Sequence, residues 1–157
     1  MIQTTRFKFS WVLIDELAVG PAPRNRQHVE LLVNAGIKSI LSLCSEAEVQ
    51  LPELPHELIH RRVVLPDHTY GRDPTFEEIR SALYELKYLK SMGSVYVHCK
   101  AGIERSPLIC MAWIAIEKNL SFQSSLDYLM QVHPGTNPLA SHLMTIKELL
   151  INEVTCQ

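Results

Sequence analysis

Basic charge is in short supply in this chain. Fifteen Lys and Arg stand against 17 Asp and Glu, for a formal net charge of −2. That balance gives no reason to expect a nucleic-acid partner or an anionic membrane surface. Any anion the protein binds must be held by a local arrangement of groups. Long apolar runs are also missing. The longest, Leu108–Ile116, falls far short of the roughly 20 residues that cross a bilayer. The opening MIQTTRFKFSWV lacks the apolar centre of a secretory signal. No stable membrane association is expected. Cysteine is scarce, and positions 44, 99, 110 and 156 have no framework spacing. A reducing, cytoplasmic setting suits such a set better than a secreted disulfide scaffold. Repeats, low-complexity tracts and linkers are absent as well. With 46% hydrophobic residues, 157 residues suit one domain, 1–157, around one sizeable core.

What is there alternates between short strands and helices. The six glycines fall where elements are expected to end. Ser10–Ile14 and Leu17–Val19 read as strands, and 25–35 as a helix stopped by Gly36. Ile37–Leu43 and Leu58–Leu65 read as buried strands, with a polar loop over 66–74. A helix follows over 75–91, with Phe76, Ile79, Leu83 and Leu86 on one face. Two start signals compete for it: Asp73-Pro74, and Thr75 with Glu78 as a capping box. Ser94–His98 is a short buried strand, and 107–118 is a helix apolar nearly all round, hence internal. Two amphipathic helices close the chain, one with Phe122, Leu126 and Leu129. The other carries Leu139, Leu143, Ile146 and Leu150 behind an Asn137-Pro138 cap. This order predicts an α/β fold with a mostly parallel central sheet flanked by helices.

The decisive segment is 94–108, SVYVHCKAGIERSPL. It reads as a strand, a turn from Cys99 to Arg105, and a helix for which Ser106 is the expected N-cap and Pro107 the first residue. A turn at a helix N-terminus gathers unpaired amides and the positive end of the dipole, which favours an anion. Gly102 supplies a position without a Cβ penalty inside that turn. Thiolate is the reactive form of cysteine, and a helix N-terminus beside a cation favours it. The Arg105 guanidinium is a rigid fork that matches two phosphate oxygens. Fixed donors of this kind stabilise charge that spreads over a transferring phosphoryl group.

HCKAGIERS resembles the H-C-x5-R-S/T signature of the protein tyrosine phosphatase superfamily, matching at His98, Cys99, Gly102, Arg105 and Ser106. The small dual-specificity branch fits, because its catalytic domain spans about the whole chain. The resemblance implies a phosphomonoester hydrolase with Cys99 as nucleophile and no metal or cofactor. Its phosphate would lie on the backbone of Lys100, Ala101, Gly102, Ile103 and Glu104 and on Arg105. It also implies an upstream acid. Asp67 lies 32 positions before Cys99, the family's usual spacing, in a loop able to close as a lid. Asp73, the rival, looks like a helix start. By the same resemblance, Ser106 bonds the Cys99 sulfur and His98 orders the turn from behind. The expected partner is a phosphorylated protein carrying phosphotyrosine, phosphoserine or phosphothreonine.

A lipid phosphatase is the alternative. HCKAG also occurs in the superfamily's tumour-suppressor phosphoinositide phosphatase, where Lys100 would meet an extra phosphate. That enzyme has a second lysine where this chain has Ile103, and Glu104 adds negative charge here. Cys44 ends one strand and Cys99 another, so neighbouring parallel strands would bring both thiols to one edge. The phosphoinositide enzyme pairs a cysteine in a similar segment with its nucleophile, which makes Cys44 a possible redox partner.

Other signals carry less. His56-Glu57-Leu58-Ile59-His60 spells a zinc-protease motif, but prolines precede it and a strand pattern contains it. On a strand, residues four apart are about 13 Å apart, too far for one zinc. Arg24, Arg26, Arg61 and Arg62 read as solvated charges, Cys110 as core packing and Cys156 as a terminal residue.

Overall fold

The computed structural model describes residues 6–155, so Cys156 lies outside the described residues. Among the described residues five strands build one sheet: β1 (Ser10–Leu13), β2 (Leu17–Gly20), β3 (Ser39–Ser42), β4 (Ile59–Arg62) and β5 (Val95–His98). Their order is β1-β2-β5-β3-β4, and only β1 runs antiparallel to its neighbour. Parallel neighbours need crossovers. Helices α1 (Arg26–Asn34) and α2 (Phe76–Lys90) lie in two of them, and α3 (Arg105–Glu117), α4 (Phe122–Val132) and α5 (Ala140–Thr155) follow β5. The fold is the α/β arrangement expected.

Period-two alternation sorts the side chains onto two faces. Val19, Leu41 and Val97 join Leu86, Leu108, Leu129 and Ile146 in the larger core under α2 to α5. Ala18, Ile40 and Tyr96 point the other way, onto Val29 and Leu32 of α1. Helix α3 is buried from Arg105 through Ala115, which its all-round apolar sequence requires.

Element ends show which local signals prevailed. Thr75 caps α2: its Oγ1 accepts from the Glu78 amide, and the Glu78 carboxylate accepts from the Thr75 amide. Asp73-Pro74 stands outside this box. Helix α3 begins at Arg105, earlier than expected, with Glu104 in the cap position and no side-chain cap bond. Ser106 is therefore not a cap. Its hydroxyl lies 3.3 Å from the Cys99 sulfur and 3.5 Å from the Gly20 carbonyl oxygen, away from the helix amides. Helix α5 starts at Ala140, and the Asn137 amide instead donates to the Ile103 carbonyl at 2.9 Å. His56 and Glu57 form a turn before β4, so His56 and His60 share no helix face.

Candidate active site

Strand β5 lies between β2 and β3, and its C-terminal end opens into the turn 99–104 that leads to α3. This is the end of an α/β sheet at which ligands bind. Outside donors hold the turn's carbonyls. The Cys99 oxygen lies 2.8 Å from His98 Nδ1, and the Lys100 oxygen accepts from the Ala22 amide at 3.2 Å. The Gly102 oxygen lies 2.7 Å from His133 Nε2, and the Ile103 oxygen accepts from Asn137. With its carbonyls turned outward, the turn directs its amides inward, as a nest does. Gly102 has φ +74°, and a Cβ there would come 2.6 Å from the Pro21 nitrogen. Only glycine fits.

Cys99 is 2% exposed at the base of this turn. Arg105 is equally buried, and its guanidinium is positioned by Glu48. Nη2 lies 2.8 Å from one Glu48 oxygen and Nη1 lies 3.1 Å from the other. Nη1 also donates to the carbonyl oxygens of Leu65 and Leu43. Nε of Arg105 is buried with no partner among the described residues. Burial works to raise the Glu48 pKa, but the Arg105 bonds and the Ser45 amide outweigh it and hold the carboxyl below its ordinary value. Glu48 went unrecognised in the sequence. The one available signal was Ser45-x-x-Glu48, a capping-box pattern, and those two residues do bond each other reciprocally.

Asp67 is 9% exposed, in the loop after β4. Its Oδ1 accepts from the Thr69 hydroxyl at 2.5 Å and from the Thr69 amide at 2.8 Å. Its Oδ2 lies 3.7 Å from Arg105 Nη2. Burial works to raise its pKa, yet the Thr69 bonds, with Arg105 and His68, hold it below the ordinary value. Asp73 sits elsewhere, 3.6 Å from Nε2 of the buried His142 on α5. Of the two candidate acids, the fold brings Asp67 to Arg105.

Behind the turn, His98 is fully buried, and burial lowers its pKa to about 4, leaving the ring neutral. Its bonding pattern assigns the tautomer. Nδ1 donates to the Cys99 carbonyl, so Nε2 accepts from the Ser42 hydroxyl at 2.6 Å. Ser42 in turn lies 2.8 Å from His60 Nε2. Cys44 lies just beyond, its sulfur 4.0 Å from His98 Nδ1. Burial raises the Cys44 thiol pKa, and the nearby Arg105 opposes that rise. Arg62, expected in solvent, is partly buried and donates to the Cys44 carbonyl.

The dual specificity phosphatase catalytic-domain family model matches residues 20–151. Human dual specificity protein phosphatase 5 is 44% identical over 46 residues, 29% of this chain and 12% of that protein. Phosphatidylglycerophosphate phosphatase PTPMT2 of Arabidopsis thaliana is 25% identical over 128 residues, 79% of this chain and 55% of that protein. The match thus spans about an eighth of the first of these curated relatives and little more than half of the second. Among solved structures, PTPMT1 in complex with PI(5)P superposes with a TM-score of 0.78 at 21% identity, covering 94% of this chain and 97% of that one.

Proposed function

The chain belongs to the dual-specificity phosphatase family, and we propose that it hydrolyses phosphomonoesters through a cysteinyl-phosphate on Cys99. One observation carries this reading. A buried thiol, an Arg105 Nε–H without a partner among the described residues and an inward-facing turn converge at the N-terminus of α3. The phosphoryl oxygens bind the amides of 100–105 and the free edge of Arg105, which Glu48 holds in place. Sγ attacks phosphorus, forming the S–P bond as the P–O bond breaks. Asp67, in its protonated form, gives its proton to the departing oxygen. The phosphoryl dianion favours that form, because it places negative charge beside a carboxylate that Arg105 would otherwise stabilise. Water then attacks phosphorus, Asp67 takes its proton, and the S–P bond breaks. Ser106 bonds the departing sulfur. Inorganic phosphate leaves, and no metal or cofactor takes part in the steps as written.

The whole chain acts as one catalytic domain in this reading, and a phosphorylated protein in the cytoplasm is the first choice of substrate. The rim supports it. Lys100 is the only lysine in the turn, while Ile103 is 40% exposed and Glu104 adds a negative charge. This suits one phosphate on an otherwise neutral group better than a polyphosphorylated ring. A lipid phosphomonoester is the second reading, favoured by the Arabidopsis thaliana phosphatidylglycerophosphate phosphatase that aligns with 79% of the chain. Turnover of phosphotyrosine peptides, phosphoserine peptides and phospholipid phosphomonoesters, measured side by side, separates the two. Turnover confined to the lipids overturns the first choice.

A further inference from the structure

Glu104 closes the phosphate-binding turn, yet its side chain serves neither the turn nor the helix behind it. It occupies the cap position of α3 without a side-chain cap bond. Its carboxylate reaches across to the loop that carries Asp67. Oε1 lies 2.8 Å from His68 Nδ1, and Oε2 accepts from the His68 backbone amide at 3.4 Å. Both contacts fall on the residue that follows Asp67. Thr69, one position further, occupies Oδ1 of Asp67 through two donors and leaves Oδ2 toward Arg105. The far end of the same loop is tied down separately. Arg72 pairs with Glu78 at 2.7 and 3.0 Å, and Asp73 meets His142. The near end crosses to the phosphate-binding turn through the His68 pair and the longer Asp67–Arg105 contact.

We propose that His68 and Glu104 are positioning residues that latch the acid loop over the phosphate-binding turn and hold Asp67 Oδ2 on the leaving-group side. The inference rests on Asp67 being the general acid. A solvent-accessible pair of this kind, exposed at His68 and half-buried at Glu104, shifts an equilibrium by a factor of up to about five. Opening the latch therefore lowers the fraction of enzyme with its acid in place by that order. The loss falls on substrates whose leaving oxygen needs a proton and spares those whose leaving group departs as a stable anion.

The test is steady-state kinetics of Glu104→Ala, His68→Ala and the double variant. Each is made with Asp67 intact and in an Asp67→Asn background. Two aryl phosphates serve as substrates, one with a weakly acidic phenol and one with a strongly acidic phenol. With Asp67 intact, each single variant should lower kcat about three- to fivefold more on the first substrate than on the second, and His68→Ala should leave KM and the second substrate nearly unchanged. The double variant should fall no further than either single one. Glu104→Gln, which keeps an acceptor oxygen for His68, should recover part of the loss. In the Asp67→Asn background His68→Ala should change nothing. Equal losses on both substrates, additive losses, or a His68→Ala loss that persists without the Asp67 carboxylate would overturn the latch. If Asp67→Asn itself turns over the first substrate at the wild-type rate, the acid assignment fails and the latch with it. A normal Asp67→Asn defect beside inert latch variants overturns the latch alone.

Discussion

The turn from Cys99 to Arg105 and the loop from Pro66 to Pro74 meet at the same end of the sheet, but they are built differently. The turn joins a fully buried strand to a buried helix, and four of its carbonyls are held by donors from His98, Ala22, His133 and Asn137. The loop is largely exposed from His68 to Asp73 and is fastened by side-chain pairs. The difference follows from the work proposed for each. Donors that stabilise charge in a transition state act best when already fixed, because no reorganisation accompanies the reaction. An acid on a lid must admit substrate and release phosphate, so it is held by a few separable contacts.

The sharpest way to break the comparison is to remove the proposed nucleophile while leaving the turn intact. Cys99→Ser should abolish turnover yet still bind inorganic phosphate, since the amides and Arg105 remain. Activity above about 1% of wild type contradicts the assignment, because loss of a nucleophile costs several orders of magnitude. On the loop, Asp67→Asn should lower kcat by about 10²–10⁴ with little change in KM, and a strongly acidic leaving group should restore part of the rate. The carboxyl lies below its ordinary value in the free protein, so the protonated fraction falls as pH rises above the acidic range. The wild-type kcat/KM should therefore decline on the basic side, and Asp67→Asn should flatten that decline. If Asp73→Asn does this instead, the acid has been misassigned.

Glu48→Gln tests the rigidity of the turn through stability. The Glu48 pKa is lowered in the folded state, so its contribution is present above the unfolded value and is lost as pH falls through the folded one. The substitution should destabilise the protein by about 1–3 kcal/mol at neutral pH, because a buried Arg105 loses a charged partner. Thermal melts should show the gap narrowing below about pH 4. A gap independent of pH would place Glu48 outside the Arg105 pair. The smallest expected effect is that of Cys44→Ser, which should be silent under reducing conditions. With peroxide, the proposed route oxidises the Cys99 sulfur to a sulfenic acid, from which Cys44 should displace water to form a disulfide. Strands β3 and β5 pair at Ser42 and His98, one or two residues before the two thiols, which supports this route. Peptide mapping after peroxide should find the 44–99 link, and dithiothreitol should restore wild type more fully than Cys44→Ser. Equal recovery, or no linked peptide, ends the idea.

Contiguity explains what the sequence made legible. The turn was readable because cysteine, glycine and arginine lie within seven residues and the pattern changes from strand to helix there. The Thr75 box was readable for the same reason. The partnership of Glu48 with Arg105 was not, since it spans 57 positions and depends on β3 lying beside β5. Ser106 misled because its cap propensity lost to a sulfur and a carbonyl supplied by other elements. Arg62 misled because charge suggests solvent, whereas the end of β4 sets it against the Cys44 carbonyl. His133 and His68 have no local pattern that marks them, and the Asn137-Pro138 pattern pointed to a cap and not to the bond with Ile103, for each acts on a chain segment distant in sequence.

The central claim is a covalent intermediate on Cys99. Acid-quenching the enzyme within milliseconds of mixing with an aryl phosphate, then digesting it under acid for mass analysis, tests this directly. One phosphoryl group should appear on the peptide containing Cys99 and be absent from Cys99→Ser. It should accumulate when the second step is slowed relative to the first, as in Asp67→Asn with a strongly acidic leaving group. A phosphoryl group on another residue, or turnover in Asp67→Asn with no adduct under these conditions, would contradict the account.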